Sequence, residues 1–305
     1  MGERALSARE DPAQCAWCGA GAHLTAARLA TCPSCGGATT YPPPSDDELE
    51  RAYAGWYRPD SGRFAGGGDR ILALSRASLA RRLDRIAPAG PILDVGSGDG
   101  VLLKGLRARG REAIGLERSG VARDGVLPVE IVDFDERPGE WAAVIFWHSL
   151  EHLREPASAV DRATALLKPG GVLAIAVPNL ASWQSRVFGE RWFHLDLPRH
   201  LVHLPASTLT AGIESRGFEI KRVSHWRGGQ LAFGWLHGVV RTLPGNPDLY
   251  SAIRRPEAQS RQTTGSRRAL ALGVAALAAP AAAALAGAEA AARAGGTVYV
   301  EARKR

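Results

Sequence analysis

Three features are missing from this sequence. Most of the chain has no cysteine, the N-terminus has no apolar run, and positive charge is not spread evenly along the chain. All four cysteines lie in residues 15–35, so no disulfide can join other parts of the chain. The first four residues are not followed by an apolar run, and we therefore expect no secretory signal. The net charge of +7 is uneven: residues 216–305 contain 14 Lys and Arg against 5 Asp and Glu, and residues 1–215 contain 24 against 26. An anionic partner is therefore expected at the C-terminal third.

Two pairs of cysteines form a candidate metal site near the N-terminus. Cys15 and Cys18 make one C-x-x-C pair, Cys32 and Cys35 make another, and 13 residues separate the pairs. This spacing is typical of a zinc ribbon, in which four thiolates complete a tetrahedral structural site. We therefore predict a zinc ribbon over residues 1–43, with His23 as a surface residue. The alternative is four unligated thiols in a segment too poor in apolar residues to fold alone.

Residues 44–90 are predicted to form a helical lead-in to the rest of the chain. Ser45 is a candidate N-cap, and acidic residues follow it in the first turn. The large side chains at helical spacing after it are Leu49, Tyr53, Trp56 and Tyr57. They form either a packing face or an aromatic lid over a bound ligand. A glycine-rich link at 62–68 precedes a second amphipathic helix over 71–86.

A strand, a glycine-rich turn and a helix are predicted over residues 91–103. Ile92–Val95 is an apolar run that suits one buried strand, and a second apolar run from Val101 begins a helix. The glycines between them are Gly96, Gly98 and Gly100. Glycine permits a sharp turn and a close approach of ligand to backbone, as in the nucleotide-binding turn of a doubly wound α/β sheet. The third glycine comes one residue too early for the dinucleotide pattern G-x-G-x-x-G, and an ordinary β–α turn is the alternative.

Further short apolar runs predict the remaining strands of such a sheet. They are Ala113–Leu116, Val129–Val132, Trp141–Trp147, Val172–Val177, Phe218–Val223 and Thr297–Ala302. Glu117 follows the second strand, 17 residues after Gly100, where doubly wound folds place an acid for ribose hydroxyls. Asp133 follows the third strand, where it either accepts a hydrogen bond from an adenine amino group or is a turn residue.

The glycine turn, Glu117, the segment FWHSLEHL and the turn LLKPGG occur in the order found in class I S-adenosylmethionine (SAM) methyltransferases. The chain resembles that family over residues 90–227 and the last strand, and is most similar to the group that includes ubiquinone-biosynthesis O-methyltransferases. The cysteine pairs followed by Y-x-x-W-Y resemble bacterial relatives associated with polysaccharide, lipid or natural-product modification.

The resemblance implies a doubly wound, seven-stranded Rossmann-like α/β sheet. It implies a methyltransferase domain at 91–305 with a helical insertion at 228–293 before the last strand. The residues that it assigns to the SAM site are Asp94, Gly96, Ser97, Gly98, Gly100, Glu117 and Asp133.

The segment after the fourth strand contains candidate metal ligands and a candidate base. In the ubiquinone-type relatives the pattern E-x-x-E-H at this place binds a divalent metal, and the matching residues here are His148, Glu151 and His152. The spacing places all three on one face if the segment is helical. His148 replaces the first glutamate, and two imidazoles suit a softer ion than magnesium. The alternatives are a general base at His148 or His152, and plain helix-cap packing.

A second polar cluster lies at 192–203, after the fifth strand, where it can fold over the acceptor side. It contains three histidines, one acid and one arginine among aromatic residues. His200 is a further candidate base, and Arg199 is a candidate contact for an anionic or carbonyl group. The alternative is a hydrogen-bonded structural loop.

Residues 269–288 are 20 uncharged residues, mostly alanine. Their number reaches the length that spans a bilayer, but alanine is much less hydrophobic than leucine. The last strand, at 297–302, is expected to pair antiparallel with the sixth strand. A single crossing of the membrane would place these two strands on opposite sides of the bilayer. We therefore expect this run to pack on the protein or on another copy, to lie in a membrane interface, or to turn back near Pro280. The expected location is cytoplasmic, with contact at the inner membrane face favoured by the basic excess.

Three functions fit these features. The first is SAM-dependent O-methylation of a small-molecule, sugar or lipid-linked acceptor. The second is RNA methylation, suggested by a zinc ribbon with basic charge. The fourth strand lacks the N/D-P-P-aromatic motif that holds a flipped base in amino-methylating enzymes, which argues against a nucleic-acid partner. The third is a non-catalytic binding module on the same fold.

Overall fold

The computed structural model describes residues 13–26, 28–54, 62–64, 67–118, 124–255 and 265–305. The predictions for Trp56 and Tyr57 lie outside these described residues. The strands and helices, in chain order, are β1 (His23–Ala26), β2 (Leu29–Thr31), β3 (Ala38–Thr40), α1 (Asp46–Ala54), α2 (Gly68–Ile86), β4 (Ile92–Val95), α3 (Val101–Arg107), β5 (Ala113–Leu116), β6 (Val126–Leu127), β7 (Trp141–Trp147), α4 (Pro156–Leu166), β8 (Leu167–Pro178), α5 (Trp183–Phe188), β9 (Val202–His203), α6 (Ala206–Glu214), β10 (Phe218–Ser224), α7 (Gly229–Arg241), α8 (Leu249–Ile253), α9 (Gly265–Ala291) and β11 (Thr297–Lys304).

Seven strands form one mixed sheet in the order β10-β11-β8-β7-β4-β5-β6. Strand β11 runs antiparallel to both of its neighbours, and the other pairs are parallel. This order confirms the predicted doubly wound sheet, with the last strand beside the sixth. The register places Val95 beside Leu116 and Phe146, so the carboxyl ends of β4, β5 and β7 meet at one edge. Ligands bind at that edge in open α/β sheets.

The central strands β4 and β7 are apolar apart from Asp94, because helices cover both faces of the sheet. All four residues of β4 and the first six of β7 are buried. Alternate side chains enter different core layers: Val144 and Phe146 pack with α4, and Ile145 packs with residues of α2 and α3.

The third strand of the sheet is shorter and earlier than the predicted Val129–Val132. It is β6, and Pro128 follows it directly. Proline has no backbone N–H, so the hydrogen-bond ladder does not continue through it. Residues Ile131–Asp133 form a 3-10 turn instead.

A second, smaller sheet joins the cysteine-containing segment to the large domain. Its order is β1-β2-β3-β9, and β9 comes from the segment after β8. Trp17 also packs against α6, where a Cβ on Gly212 would lie 2.5 Å from the Trp17 ring. The structure therefore places the cysteine segment directly on the large domain, and a boundary at residue 43 stays a proposal.

The insertion before the last strand is helical, as predicted, and consists of α7, α8 and α9. α9 continues through Pro280 as one 27-residue helix, so the chain does not turn back there. Glu289 holds its C-terminal end, because this buried carboxylate accepts hydrogen bonds from Gln184 Nε2 at 2.7 Å and Trp235 Nε1 at 3.0 Å. Within the described residues, α9 is the one helix long and apolar enough to cross a membrane.

Candidate functional site

The glycine turn between β4 and α3 needs glycine at three positions. Gly96, Gly98 and Gly100 have φ angles of 75°, 59° and 69°, which side-chain-bearing residues rarely adopt. Gly96 also lies against the segment after β7, where an added Cβ would come 2.5 Å from Ser149 Cβ. The turn and the end of β7 are therefore in direct contact.

Polar groups of three predicted cofactor residues converge on this turn. Glu117, at the end of β5, accepts a hydrogen bond from Gly98 N at 2.8 Å. The buried Oγ of Ser97 has no hydrogen-bond partner among the described residues, and it lies against Gly115 of β5, where an added Cβ would clash with it. Asp94 is buried at the end of β4, and burial raises its pKa to about 7. These observations fit a nucleoside cofactor such as SAM, and the ribose contact of Glu117 stays a prediction. Asp133 is exposed in the 3-10 turn beyond β6.

An arginine that sequence reasoning missed lies on the glycine turn. The guanidinium of Arg63 forms an ion pair with Asp99, inside the turn. The carbonyl of Arg63 accepts a hydrogen bond from Arg255 N at 3.0 Å, which ties this contact to the helical insertion. Arg63 lies in a glycine-rich link without a recognisable motif, so the sequence offered no signal for it.

The backbone at the end of β7 turns sharply at His148. His148 has a φ of 53°, a left-handed conformation that costs a non-glycine residue ~1–3 kcal/mol and is common at functional sites. The 3-10 turn Leu150–His152 begins only after this residue. His148 is therefore not on one helical face with Glu151 and His152, although its Nδ1 lies 3.3 Å from Glu151 Oε1.

The structure groups Glu151 and His152 with His200 as candidate metal ligands, and His148 contacts Glu151 from outside this group. The candidate ligand atoms of the group lie within 4.8 Å of one another, and the ring centroids of its two histidines are 4.6 Å apart. Glu151 is buried, burial raises its pKa to about 7, and its Oε2 has no hydrogen-bond partner among the described residues. A buried carboxylate oxygen and two imidazoles suit a divalent transition metal, so the donor set fits such an ion.

Backbone carbonyls determine which nitrogen of each histidine carries the proton. His200 Nδ1 lies 2.8 Å from the His194 carbonyl, and His152 Nδ1 lies 3.0 Å from the Arg199 carbonyl. Each Nδ1 therefore donates, and each Nε2 is left as the acceptor atom of a neutral ring. Burial holds the pKa of His200 well below its ordinary value, which keeps the ring neutral near pH 7.

The segment 194–203 is held from both sides. Leu201 N donates to the Glu151 carbonyl at 2.7 Å, which joins the segment to the end of β7. On the other side, Thr40 Oγ1 of β3 donates to the His200 carbonyl at 2.6 Å and lies 3.1 Å from His203 Nε2. Arg199 is buried and forms an ion pair with Asp196.

Helix α1 reaches this cluster through Tyr53, whose hydroxyl lies 3.0 Å from His152 Nδ1. The predicted N-cap Ser45 is part of a capping box, because Ser45 and Glu48 exchange backbone-to-side-chain hydrogen bonds of 2.9 and 3.2 Å. Burial raises the pKa of Tyr53 to about 12, so its hydroxyl stays protonated. The Tyr53 hydroxyl thus contacts the same His152 nitrogen as the Arg199 carbonyl and helps to fix the ring.

Two arginines line the other side of the sheet edge. The guanidinium carbons of Arg227 and Arg76 lie 4.1 and 4.9 Å from the ring centroid of Trp147, the last residue of β7. Burial and the charge of Arg76 lower the pKa of Arg227 to about 10, so it stays charged. Desolvation and both charges hold the pKa of His148 well below its ordinary value. Gln230 of α7 completes this wall, with its Nε2 3.5 Å from His148 Nε2.

The four cysteines form a second candidate metal centre. Their Sγ atoms lie within 4.8 Å of one another, with Cys15 to Cys35 at 3.6 Å and Cys18 to Cys32 at 3.5 Å. Tetrahedral zinc with bonds of about 2.3 Å requires sulfur separations of roughly 3.8 Å, so the cluster fits zinc. His23 is exposed in β1, as predicted.

Comparison with known proteins gives a family match over the large sheet except its last strand, β11. The family model described as "Methyltransferase domain" matches residues 69–223, which is half of the chain. This range includes the glycine turn, Glu117, and the cluster of Glu151, His152 and His200.

Individual relatives are distant. The chain is 26% identical over 202 residues to the ubiquinone biosynthesis O-methyltransferase of Xylella fastidiosa (strain M23), covering 59% of this chain and 80% of that protein. It is 28% identical over 168 residues to the protein of the same name from Xanthomonas campestris pv. campestris (strain B100), covering 47% and 70%. A solved SAM-dependent methyltransferase from Archaeoglobus fulgidus is 17% identical, with a TM-score of 0.46, and the match covers 76% of this chain and 93% of that one.

Proposed function

Because the chain belongs to the methyltransferase-domain family and is a class I SAM-dependent methyltransferase, we propose that it methylates a hydroxyl oxygen. The proposed acceptor is a small molecule, a sugar or a lipid-linked compound. The names of the distant relatives, both O-methyltransferases, support oxygen as the acceptor atom.

The observation that carries the proposal is the position of Glu151, His152 and His200 at the sheet edge beside the glycine turn. Their ligand atoms lie within 4.8 Å of one another, and Ser149 of the same segment is in contact with Gly96. An acceptor hydroxyl held between the turn and this cluster is close to both the methyl donor and a proton acceptor.

Proton removal is the chemistry that the protein side chains supply. SAM, when bound, provides an electrophilic methyl group on its sulfonium sulfur. His200 Nε2, or His152 Nε2, would take the proton from the acceptor hydroxyl, which leaves its oxygen as the nucleophile for that methyl group. Asp196 Oδ2 lies 3.6 Å from His200 Nε2 and stabilises the imidazolium that results. His148 is the alternative base.

The charge of the surrounding groups favours an oxygen nucleophile. Arg76 and Arg227 create positive potential at the same sheet edge, beside Trp147. Positive potential lowers the pKa of a bound hydroxyl and stabilises the developing negative charge on its oxygen.

Two metals are part of the proposal. A divalent ion held by Glu151, His152 and His200 would polarise the acceptor oxygen, and His148 would then be the base, because an imidazole nitrogen that binds a metal cannot also take a proton. Zinc held by Cys15, Cys18, Cys32 and Cys35 has a structural role, because four thiolates leave no open coordination position.

The test combines SAM titration with label transfer from methyl-labelled SAM into lipid, sugar and RNA extracts. We expect SAM binding, and a label that stays with a lipid or sugar product after ribonuclease treatment. His200→Ala and His152→Ala should lower turnover at saturating SAM by about 10²-fold for the residue that acts as base, with unchanged SAM affinity. His23→Ala, an exposed histidine of β1, is the matched control.

Each alternative has its own outcome in this test. Absence of SAM binding would leave a non-catalytic module, and label lost with ribonuclease would indicate RNA methylation. Unchanged turnover in both His200→Ala and His152→Ala would remove these histidines from the proposed chemistry.

A further inference from the structure

One side of α9 packs on the protein along its length. Its buried residues are Ala271, Ala275, Ala282, Ala286 and Glu289, and the first four belong to apolar clusters with residues of α5, α7 and α8. Because β11 begins at Thr297 and lies inside the large sheet, the helix lies along the protein surface and does not span a membrane away from it.

Between residues 269 and 288 the remaining surface of α9 is largely exposed and without charge. Only 17% of its most apolar 18-residue stretch is buried, and residues 269–288 contain no charged side chain. Leu277 is 86% exposed, Leu270 47% and Leu285 41%. At 3.6 residues per turn these three leucines fall within an arc of about 80°, which we call the leucine face. Contiguous exposed apolar surface of this kind marks an interaction site.

Basic residues lie at both ends of the leucine face. Arg267 is exposed on the same arc, one turn before Leu270, and Arg293 is exposed just after the C-terminal end of α9. Arg293 lines one concavity with Lys221 and Arg222 of β10. An apolar helix face between arginines complements a lipid bilayer that carries negative charge, since the leucines enter the acyl boundary and the arginines meet the headgroups.

We propose that the leucine face of α9 binds the surface of an anionic lipid bilayer, with the helix axis parallel to the membrane. The same helix packs on α7, which contributes Gln230 to the wall of the candidate site. The contact therefore holds one wall of that site near the bilayer. The proposal does not depend on which atom is methylated, because vesicle binding is measured without turnover.

The test uses the full-length protein and vesicles of phosphatidylcholine, alone or mixed equally with phosphatidylglycerol. We expect co-sedimentation with the mixed vesicles only, weakened by added salt. The triple variant Leu270→Gln, Leu277→Gln, Leu285→Gln should lower the vesicle partition coefficient at least ~10-fold, and Arg267→Gln should lower it ~5-fold. The matched control changes three exposed apolar residues elsewhere, Leu24→Gln, Ile71→Gln and Val187→Gln, and should bind like the parent.

SAM titration and thermal unfolding verify that each variant is folded. If the triple variant is unstable, the single variant Leu277→Gln replaces it in the vesicle assay, because Leu277 is the most exposed of the three leucines. Absence of binding to the mixed vesicles, or equal binding by the parent and Leu277→Gln, would overturn the proposal. A dimer in sedimentation that Leu277→Gln converts to a monomer, without vesicle binding, would assign the leucine face to a second copy of the chain.

Discussion

Asp94 illustrates how burial at a single residue couples the candidate site to stability. Burial raises its pKa from the ordinary value of 3.8 to about 7, the positive charge of Arg76 acts in the opposite direction, and Glu117 adds to the rise. Between these two pKa values the folded protein holds a proton that the unfolded chain has released. Stability therefore falls as the pH rises from about 4 to about 7, by up to ~4 kcal/mol for this one group.

Replacing this carboxyl with an amide removes that pH dependence. In the absence of SAM, the free energy of unfolding of Asp94→Asn minus that of the parent should increase by up to ~3 kcal/mol when the pH is raised from 5 to 8, because only the parent loses stability over this range. Urea unfolding at both pH values measures the difference. Asp84→Asn is the control, because its arginine partners lower the pKa of Asp84 and its ionisation does not change in this range. An equal Asp94→Asn effect at both pH values would mean that the parent carboxylate is ionised throughout.

The strand β3 connects the cysteine segment to the candidate catalytic cluster. Thr40 is buried at the end of this strand, and its hydroxyl contacts both the His200 carbonyl and His203 Nε2. It does not touch the reacting atoms, so we regard it as a positioning residue for His200. Its backbone N–H also donates to the Leu201 carbonyl at 2.9 Å, so Thr40 holds the loop that contains His200 at three points.

Removing the hydroxyl of Thr40 is expected to affect turnover without affecting cofactor binding. Thr40→Val keeps the shape of the side chain and removes both contacts, and we expect kcat to fall about tenfold because His200 loses its fixed position. Thr40→Ser keeps the hydroxyl and should restore most of kcat. Thr31→Val, on β2, is the control. If Thr40→Val and Thr40→Ser have the same kcat, the hydroxyl does not position His200. SAM affinity should stay within about twofold of the parent in every variant, since the glycine turn is built by other elements.

The elements that sequence predicted well are those whose pattern is local. β4 and β7 are runs of buried residues, and the glycine turn needs positive φ at fixed positions. The grouping of His200 with Glu151 and His152 could not be predicted, because it depends on a contact across 48 residues of chain. The pairing of β3 with the two-residue β9 has no periodicity to detect, and the left-handed φ of His148 opposes its own local preference.

At the scale of the whole molecule, the sheet edge lies between two additions to the family domain. The cysteine segment holds the loop with His200 on one side, through β3 and β9. The insertion holds the other side, where Gln230 of α7 meets His148 and α9 packs behind α7. The matched family range ends at residue 223 and begins at 69, so both additions lie outside it. We therefore expect these two additions to determine which acceptor the protein binds and whether the protein binds a membrane surface.

Zinc removal tests whether the cysteine segment supports the catalytic edge of the whole molecule. We expect one zinc per chain by elemental analysis, and loss of that zinc in Cys32→Ser, because the remaining three thiolates bind it more weakly. Without zinc the turns that position β3 loosen, so amide exchange at residues 201–203 should accelerate and kcat should fall. SAM affinity should change little, because the glycine turn and Glu117 are anchored in the large sheet. Ser34→Ala, an exposed change within the same turn, is the control and should keep the zinc. Zinc-free Cys32→Ser with parental exchange at 201–203 would show that the cysteine segment and the catalytic edge are independent.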